Sequence, residues 1–191
     1  VREVELKAVV ADVTQARARV EAAGGVLRFA GAMEDRRYDT PPRRLAAEDE
    51  VLRVRVYRAP TPGAPTETTL DWKGPTTTER GYKVREELST SVGDPELLVA
   101  ILDRLGYVVT RRIDRVIAQY ALTGAIVRFE QYPRMDVLVE VEGEPDAIDR
   151  AIAAAGFARA DFSSDGLPDF VARYEARTGE RAALAWRDLD G

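Results

Sequence analysis

The sequence predicts an α+β fold, an eight-stranded antiparallel β-barrel closed around an ionic lumen, with helices on the outside. Three observations predict it. Eight segments alternate apolar and polar residues with the period of a strand, mostly in hairpin order. Four amphipathic helical stretches interrupt them and offer apolar stripes to cover a sheet. The polar face of six strands is selectively ionic, where a solvated face usually mixes in Ser, Thr, Asn and Gln. Closure of a meander into a barrel removes exposed strand edges.

Strands are expected near 2–10, 34–40, 50–58, 67–74, 80–89, 107–120, 125–131 and 136–143, with turns such as "RAPTPGAP" and "KGPTTTERG" between some of them. The first helix, about 12–23, aligns Val13, Ala16, Val20 and Ala23 and stops at Gly24-Gly25. The second has Asp94 as N-cap, Pro95 at the first helical position and Gly106 just past its end. Leu98, Ile101, Leu102 and Leu105 form its expected buried stripe. A third begins at "EPDAI" and stops at Gly156, and a fourth spans about 165–178 and stops at Gly179. No linker or repeat divides the chain, so residues 1–180 read as one domain and 181–191 as a C-terminal tail expected to fray.

The charged faces carry the functional content. Glu3, Glu5 and Lys7 share one face of the first strand, opposite Val4, Leu6 and Ala8. Arg53 and Arg55 align on the third strand, Asp71 and Lys73 on the fourth, and Lys83, Arg85 and Glu87 on the fifth. Arg128 aligns with Glu130, and Asp136 with Glu140 and Glu142. One such face alone reads as solvent-exposed. Six together, with helices available to cover the apolar faces, fit a barrel with an ionic lumen. Buried charges are costly unless each has a partner. Clustered Arg and Lys suit a compact polyanion, and clustered Glu a multivalent cation. A metal–triphosphate complex answers both.

Composition narrows the chemistry further. The 191 residues contain no Cys and no His, so thiolate and imidazole catalysis and ligation are excluded. A metal would be held by carboxylates, which favours Mg²⁺ or Mn²⁺. A net charge of −5 speaks against nucleic acid as a partner. No apolar run reaches membrane-span length and no leader is visible, so a cytoplasmic protein is expected.

The segment "EVELK" resembles the E-x-E-x-K signature of the CYTH superfamily, the triphosphate tunnel metalloenzymes. That superfamily includes class IV adenylyl cyclases and thiamine triphosphatase. "RRYDT", "VLRVRVY", "TLDWKGP", "YKVREEL", "ILDRLGY" and "VLVEVEG" follow in the family's order, over about residues 2–143. The resemblance implies a tunnel that binds triphosphates with a divalent metal. Glu3, Glu5, Glu140 and Glu142, with Glu130 near the place of a family Asp, would hold metal. Lys7, Arg53, Arg55, Lys73 and Arg85 would hold phosphates, joined by Lys83, and Glu87 would pair with the bases. Arg115 aligns with a family Lys, and Ile117 stands where the family has an Arg, for which Arg128 or Arg112 would substitute. Glu5, Lys7 and Arg55 are the candidate catalytic residues.

The implied reaction is adenylyl cyclase chemistry on ATP, giving cyclic AMP and pyrophosphate. Hydrolysis of inorganic or thiamine triphosphate is the alternative, and non-catalytic polyphosphate binding the third. A monomer or homodimer is expected. Tyr38-Asp39-Thr40 suits a turn or a site equally. Trp72 is expected to pack outward, Trp186 to dock the tail, and the charges of "RYEAR" and "RDLD" to be solvated.

Overall fold

The computed structural model describes residues 1–189; Asp190 and Gly191, part of the expected tail and of "RDLD", lie outside the described residues. Nine strands form one antiparallel sheet: β1 (Arg2–Val10), β2 (Val26–Asp39), β3 (Val51–Arg58), β4 (Glu67–Lys73), β5 (Thr77–Glu79), β6 (Tyr82–Ser91), β7 (Val108–Leu122), β8 (Ala125–Gln131) and β9 (Val137–Glu142). Their order is β1-β9-β8-β7-β2-β3-β4-β6-β5, and β1 also pairs with β6, so eight strands close into a ring. The extra strand, β5, is a short hairpin arm on β6, in line with β4.

Five helices accompany the ring: α1 (Val13–Ala22), α2 (Arg44–Ala47), α3 (Pro95–Arg104), α4 (Pro145–Ala154) and α5 (Leu167–Thr178). The expected caps form. The Asp12 and Asp94 carboxylates accept from the backbone N–H groups of Gln15 and Leu97, each at 2.9 Å. Gly106 and Gly179 end α3 and α5 with φ of 82° and 72°, where a Cβ would be strained.

The ring is apolar outside and ionic inside, the inversion expected of it. Val4, Leu6 and Ala8 of β1, with Tyr120, Val127, Phe129, Val139 and Val141, face Ala16 and Val20 of α1 and Ile148 and Ile152 of α4 in one core cluster. A smaller cluster joins Tyr38 and Val54 to Leu102 of α3.

Several elements depart from expectation. β2 begins at Val26, since "VLRFAGAM" pairs along β7 even though it lacks clean alternation. Ile101 and Leu105, expected in the buried stripe of α3, are 48% and 66% exposed; the helix rests instead on Leu98 and Leu102. The fourth expected helix, α5, does more than cover the outside. Its Leu167 and Phe170 pack with Ile113, Leu138 and Tyr132. Ile113 and Leu138 share the strand face of Arg115 and Glu140, so α5 closes on the inner face near one end of the ring.

The tail does not fray where it was expected to. Ala183, Leu184 and Ala185 are buried, Ala183 bridges to Arg134, and the Leu184 carbonyl accepts from the Asp114 N–H at 2.7 Å. Trp186 donates its backbone N–H to Asp114, and its side chain is largely exposed. Tyr38-Asp39-Thr40 proves structural: the Asp39 carboxylate accepts from the N–H groups of Thr40, Leu45 and Ala46 and fastens α2 to the end of β2. Trp72 lies on the outer face, half-buried against Gly74.

Candidate active site and metal centre

Strand alternation puts one ionic row from each strand into the lumen, and the sheet register sets which rows meet. Glu5 pairs across to Lys83 on β6 and Glu142 on β9, and Lys7 to Glu140. Arg53 pairs with Arg37 on one side and Asp71 on the other. Glu3, Glu5, Lys7, Arg53, Arg55, Lys73, Arg85, Arg115, Glu130 and Glu140 are all buried, and Lys83, Arg128 and Glu142 half-buried. Every site residue read from the sequence therefore reaches the lumen side.

Three acids converge. Carboxylate oxygens of Glu3, Glu87 and Glu142 lie within 4.8 Å of one another. Burial raises the Glu3 and Glu142 carboxyls, Glu142 to about 7, and neighbouring carboxylates add to both. Such crowding of like charge fits a cation, and a set of three carboxylates suits a hard divalent ion. Glu87 enters this trio although its sequence position marked it only as a partner of bases.

The remaining predicted metal acids are held elsewhere. Glu5 sits between Lys7 at 2.7 Å and Lys83 at 2.6 Å; burial raises its carboxyl, but the two ammonium groups outweigh this and bring it to about 2. Glu140 is held by Lys7 and Arg128, each at 2.6 Å. Glu130 accepts from Arg115 on one oxygen and the Tyr132 hydroxyl on the other, both at 2.6 Å. The structure does not bring these three acids into the trio.

The bases are arranged around the acids. Lys73 donates to both oxygens of Glu3 at 2.5 and 2.6 Å and lies 3.6 Å from Glu87. Arg53 and Arg55 share Asp71 and Glu87. Burial works against Asp71's charge, yet its bond from Arg55 helps hold it down at about 2. Arg85 donates to the Gly74 and Asp49 carbonyls, which ties two loops at the mouth. Arg115 bridges Asp35 and Glu130. Arg128 holds Glu140 and lies 3.9 Å from Glu142. Arg112, on the opposite face of β7 from Arg115, points away from the lumen, while Ile117 is 2% exposed and pairs with Glu130 across the sheet.

A cavity of about 500 Å³ opens from this network, lined by Lys7, Arg37, Arg53, Lys73, Lys83 and Arg115, among others, with Val51, Tyr132, Leu167 and Pro168 as its apolar strip. Past Arg55, the same face of β3 ends in Tyr57, edge-on to Phe29 with ring centres 5.6 Å apart. Asp35 and Arg37 were not singled out by the sequence reading, although Met33, Asp35 and Arg37 follow the same period of two.

The comparisons agree with this architecture. The CYTH domain profile matches residues 1–152. A candidate adenylate cyclase from Vibrio parahaemolyticus has a similar structure, with a TM-score of 0.73, 18% identity, and coverage of 89% of this chain and 97% of that one. The PH1819 protein of Pyrococcus horikoshii gives a TM-score of 0.70 at 22% identity, covering 90% and 98%. HpAC1 of Hippeastrum, a candidate adenylyl cyclase described as having a dominant triphosphatase activity, gives 0.60 at 16%, covering 95% and 98%. No curated protein matches the chain. With most of its length matched by that profile and its eight-stranded ring shared with these structures, this chain belongs to the CYTH domain family.

Proposed function

We propose that the chain is a metal-dependent enzyme that acts on a triphosphate-bearing substrate inside the ring, with adenylyl cyclase chemistry on ATP as its reaction. The observation that carries this reading is a ring whose inner face is dense in both carboxylates and basic side chains. Carboxylate oxygens of Glu3, Glu87 and Glu142 lie within 4.8 Å of one another, and Lys7, Lys83, Arg37 and Arg115 line the adjoining cavity. A polyanion bound with a divalent cation neutralises both groups at once.

Glu3, Glu87 and Glu142 would hold Mg²⁺ or Mn²⁺, which when bound polarises phosphoryl oxygens and offsets their charge. Lys73 and Arg53 lie beside the trio and are placed to bind the phosphate nearest the metal. Lys7, Lys83 and Arg115 line the cavity and would hold the rest of the chain. In the cyclase reaction, the ribose 3′-hydroxyl gives its proton to a lumen carboxylate such as Glu5, its oxygen bonds to the α-phosphorus, the bond to the bridging oxygen breaks, and pyrophosphate leaves. These bases stabilise the charge that develops on the pyrophosphate. The half-buried Phe29 and Tyr57 rings, edge-on to each other beyond Arg55, offer an aromatic contact for a nucleobase.

Hydrolysis of a triphosphate is the second reading. The mostly charged cavity walls, with few apolar side chains, suit an inorganic triphosphate, which has no base to cover. Incubation with ATP or inorganic triphosphate and Mg²⁺ or Mn²⁺, followed by product identification, separates the two. Cyclic AMP with pyrophosphate supports the cyclase, and orthophosphate release supports the hydrolase. Absence of turnover with both substrates would defeat the enzymatic reading.

A further inference from the structure

Three arginines stand side by side on three adjacent strands. Arg53 of β3 pairs directly with Arg37 of β2, and Arg37 with Arg111 of β7. Arg111 shares the strand face of Ile113 and Arg115, so all three point to the same side. Like charges directly opposite each other in a sheet are destabilising. Arg53 is well compensated by Asp71 and Glu87. Arg37 is not: its nearest acid is Asp35, at 3.9 Å, and its buried Nε has no hydrogen-bond partner. Asp35 gives its other oxygen to Arg115 at 3.1 Å and Arg53 at 3.6 Å. Arg111 makes no side-chain ion pair among the described residues. Burial, with Arg53, Arg111 and Arg115 nearby, brings the Arg37 guanidinium down to about 10 despite Asp35. The row is cationic beyond what its own acid neutralises.

Its position gives the surplus a direction. Arg53 reaches Glu87 of the acid trio at 3.1 Å, so the row starts beside the proposed metal. Arg37 lines both the lumen cavity and a neighbouring groove of about 530 Å³. Arg111 and Arg43 line that groove too, with Glu50 as an acid on its wall, because the Asp39 carboxylate there is taken up by α2. Adjacent guanidinium forks suit the oxygens of a single phosphate.

We propose that Arg37 and Arg111, with Arg53, form an oxyanion subsite for the phosphate of a linear polyphosphate chain that lies farthest from the acid trio. This rests on the triphosphate reading above and adds to it the end of the chain and its length. Arg111 stands two strand spacings, about 10 Å, from Arg53, so a diphosphate anchored by metal and Arg53 should fall short of Arg111 and a triphosphate should reach it.

Calorimetric titration with inorganic pyrophosphate and triphosphate, in the presence of Mn²⁺, tests this in wild type, Arg37→Gln, Arg111→Gln and, as an outward-facing control, Arg112→Gln. Loss of one charged contact predicts about tenfold weaker triphosphate binding in Arg37→Gln and Arg111→Gln. Pyrophosphate binding should change less than about twofold, and Arg112→Gln should match wild type. Without ligand, Arg37→Gln should melt no lower than wild type, because a repulsion has been removed; a lower midpoint would contradict the surplus of charge. Wild-type triphosphate affinity in both row variants would overturn the subsite alone. Absence of triphosphate binding to wild type would overturn the triphosphate reading with it.

Discussion

The Lys73 ammonium rests on both carboxylate oxygens of Glu3, at 2.5 and 2.6 Å, inside the acid trio formed with Glu87 and Glu142. It occupies the place beside Glu3 that a divalent cation would share. Burial and Arg53 lower the Lys73 ammonium, against the pull of Glu3, so its charge there is already disfavoured. Lys73→Gln should therefore tighten Mn²⁺ binding several-fold and weaken triphosphate binding about tenfold. Titration of each ligand separately checks the opposite signs; two changes of the same sign would contradict the arrangement.

Glu87 distinguishes the observed trio from the acid set read from the sequence. Glu3→Gln, Glu87→Gln and Glu142→Gln should each weaken Mn²⁺ binding by roughly tenfold or more, whereas Glu130→Gln should have a smaller effect on metal, because both its oxygens are occupied by Arg115 and Tyr132. Electron paramagnetic resonance of free Mn²⁺ reads this directly. A Glu87→Gln protein with wild-type metal affinity would remove it from the centre.

Glu142 ties stability to pH. Its carboxyl titrates near 4.5 unfolded and about 7 folded, raised first by burial and then by Glu140 and Glu3. The folded chain thus binds the extra proton between these values. The stabilisation is full below the lower value and is lost as pH rises through the upper one. Metal-free protein should lose on the order of 1–2 kcal/mol across that window, after allowance for partial exposure. Glu142→Gln should flatten the loss, and Mn²⁺ should counter it at pH above 7. A loss unchanged in Glu142→Gln, followed by chemical denaturation at several pH values, would assign it to another group.

Ile117 occupies a lumen-facing position beside Glu130, whose partners are already complete. Introducing an arginine there, Ile117→Arg, leaves a buried charge without a partner and should cost about 2–4 kcal/mol in the absence of ligand. Triphosphate should restore part of that loss. Thermal melts with and without inorganic triphosphate check both.

The end of the chain should prove structural. Leu184 packs with Ile113, Leu138, Leu167 and Phe170, so Leu184→Ala should destabilise by about 2–3 kcal/mol. Trp186→Ala, with its indole exposed, should change stability by less than about 0.5 kcal/mol. Equal effects of the two changes would contradict the packing.

Much of this was legible because strands report their two faces at a period of two. Glu3-Glu5-Lys7, Arg53-Arg55 and Glu140-Glu142 announced an ionic side, and Val4-Leu6-Ala8 an apolar one, before any pairing was known. Which charges meet is a property of register and shear. Glu87 joins Glu3 and Glu142, while Glu5 and Glu140 go to Lys7, through neighbours far apart in sequence. β2 was half missed because its first residues are apolar and contain Gly31, while their strand pairing comes from β7. The docked tail was missed because "AALAW" has neither period and acquires its place only from Arg134, Asp114 and the apolar end of the lumen.

The central claim is that a triphosphate and a divalent cation bind together inside the ring. A crystal structure with a non-reactive ATP analogue and Mn²⁺, with the metal located by its anomalous scattering, tests it most directly. The metal peak is expected among Glu3, Glu87 and Glu142, and the phosphates against Arg53, Lys73 and the cavity bases. Metal and nucleotide bound outside the ring, with the lumen ion pairs intact, would contradict it.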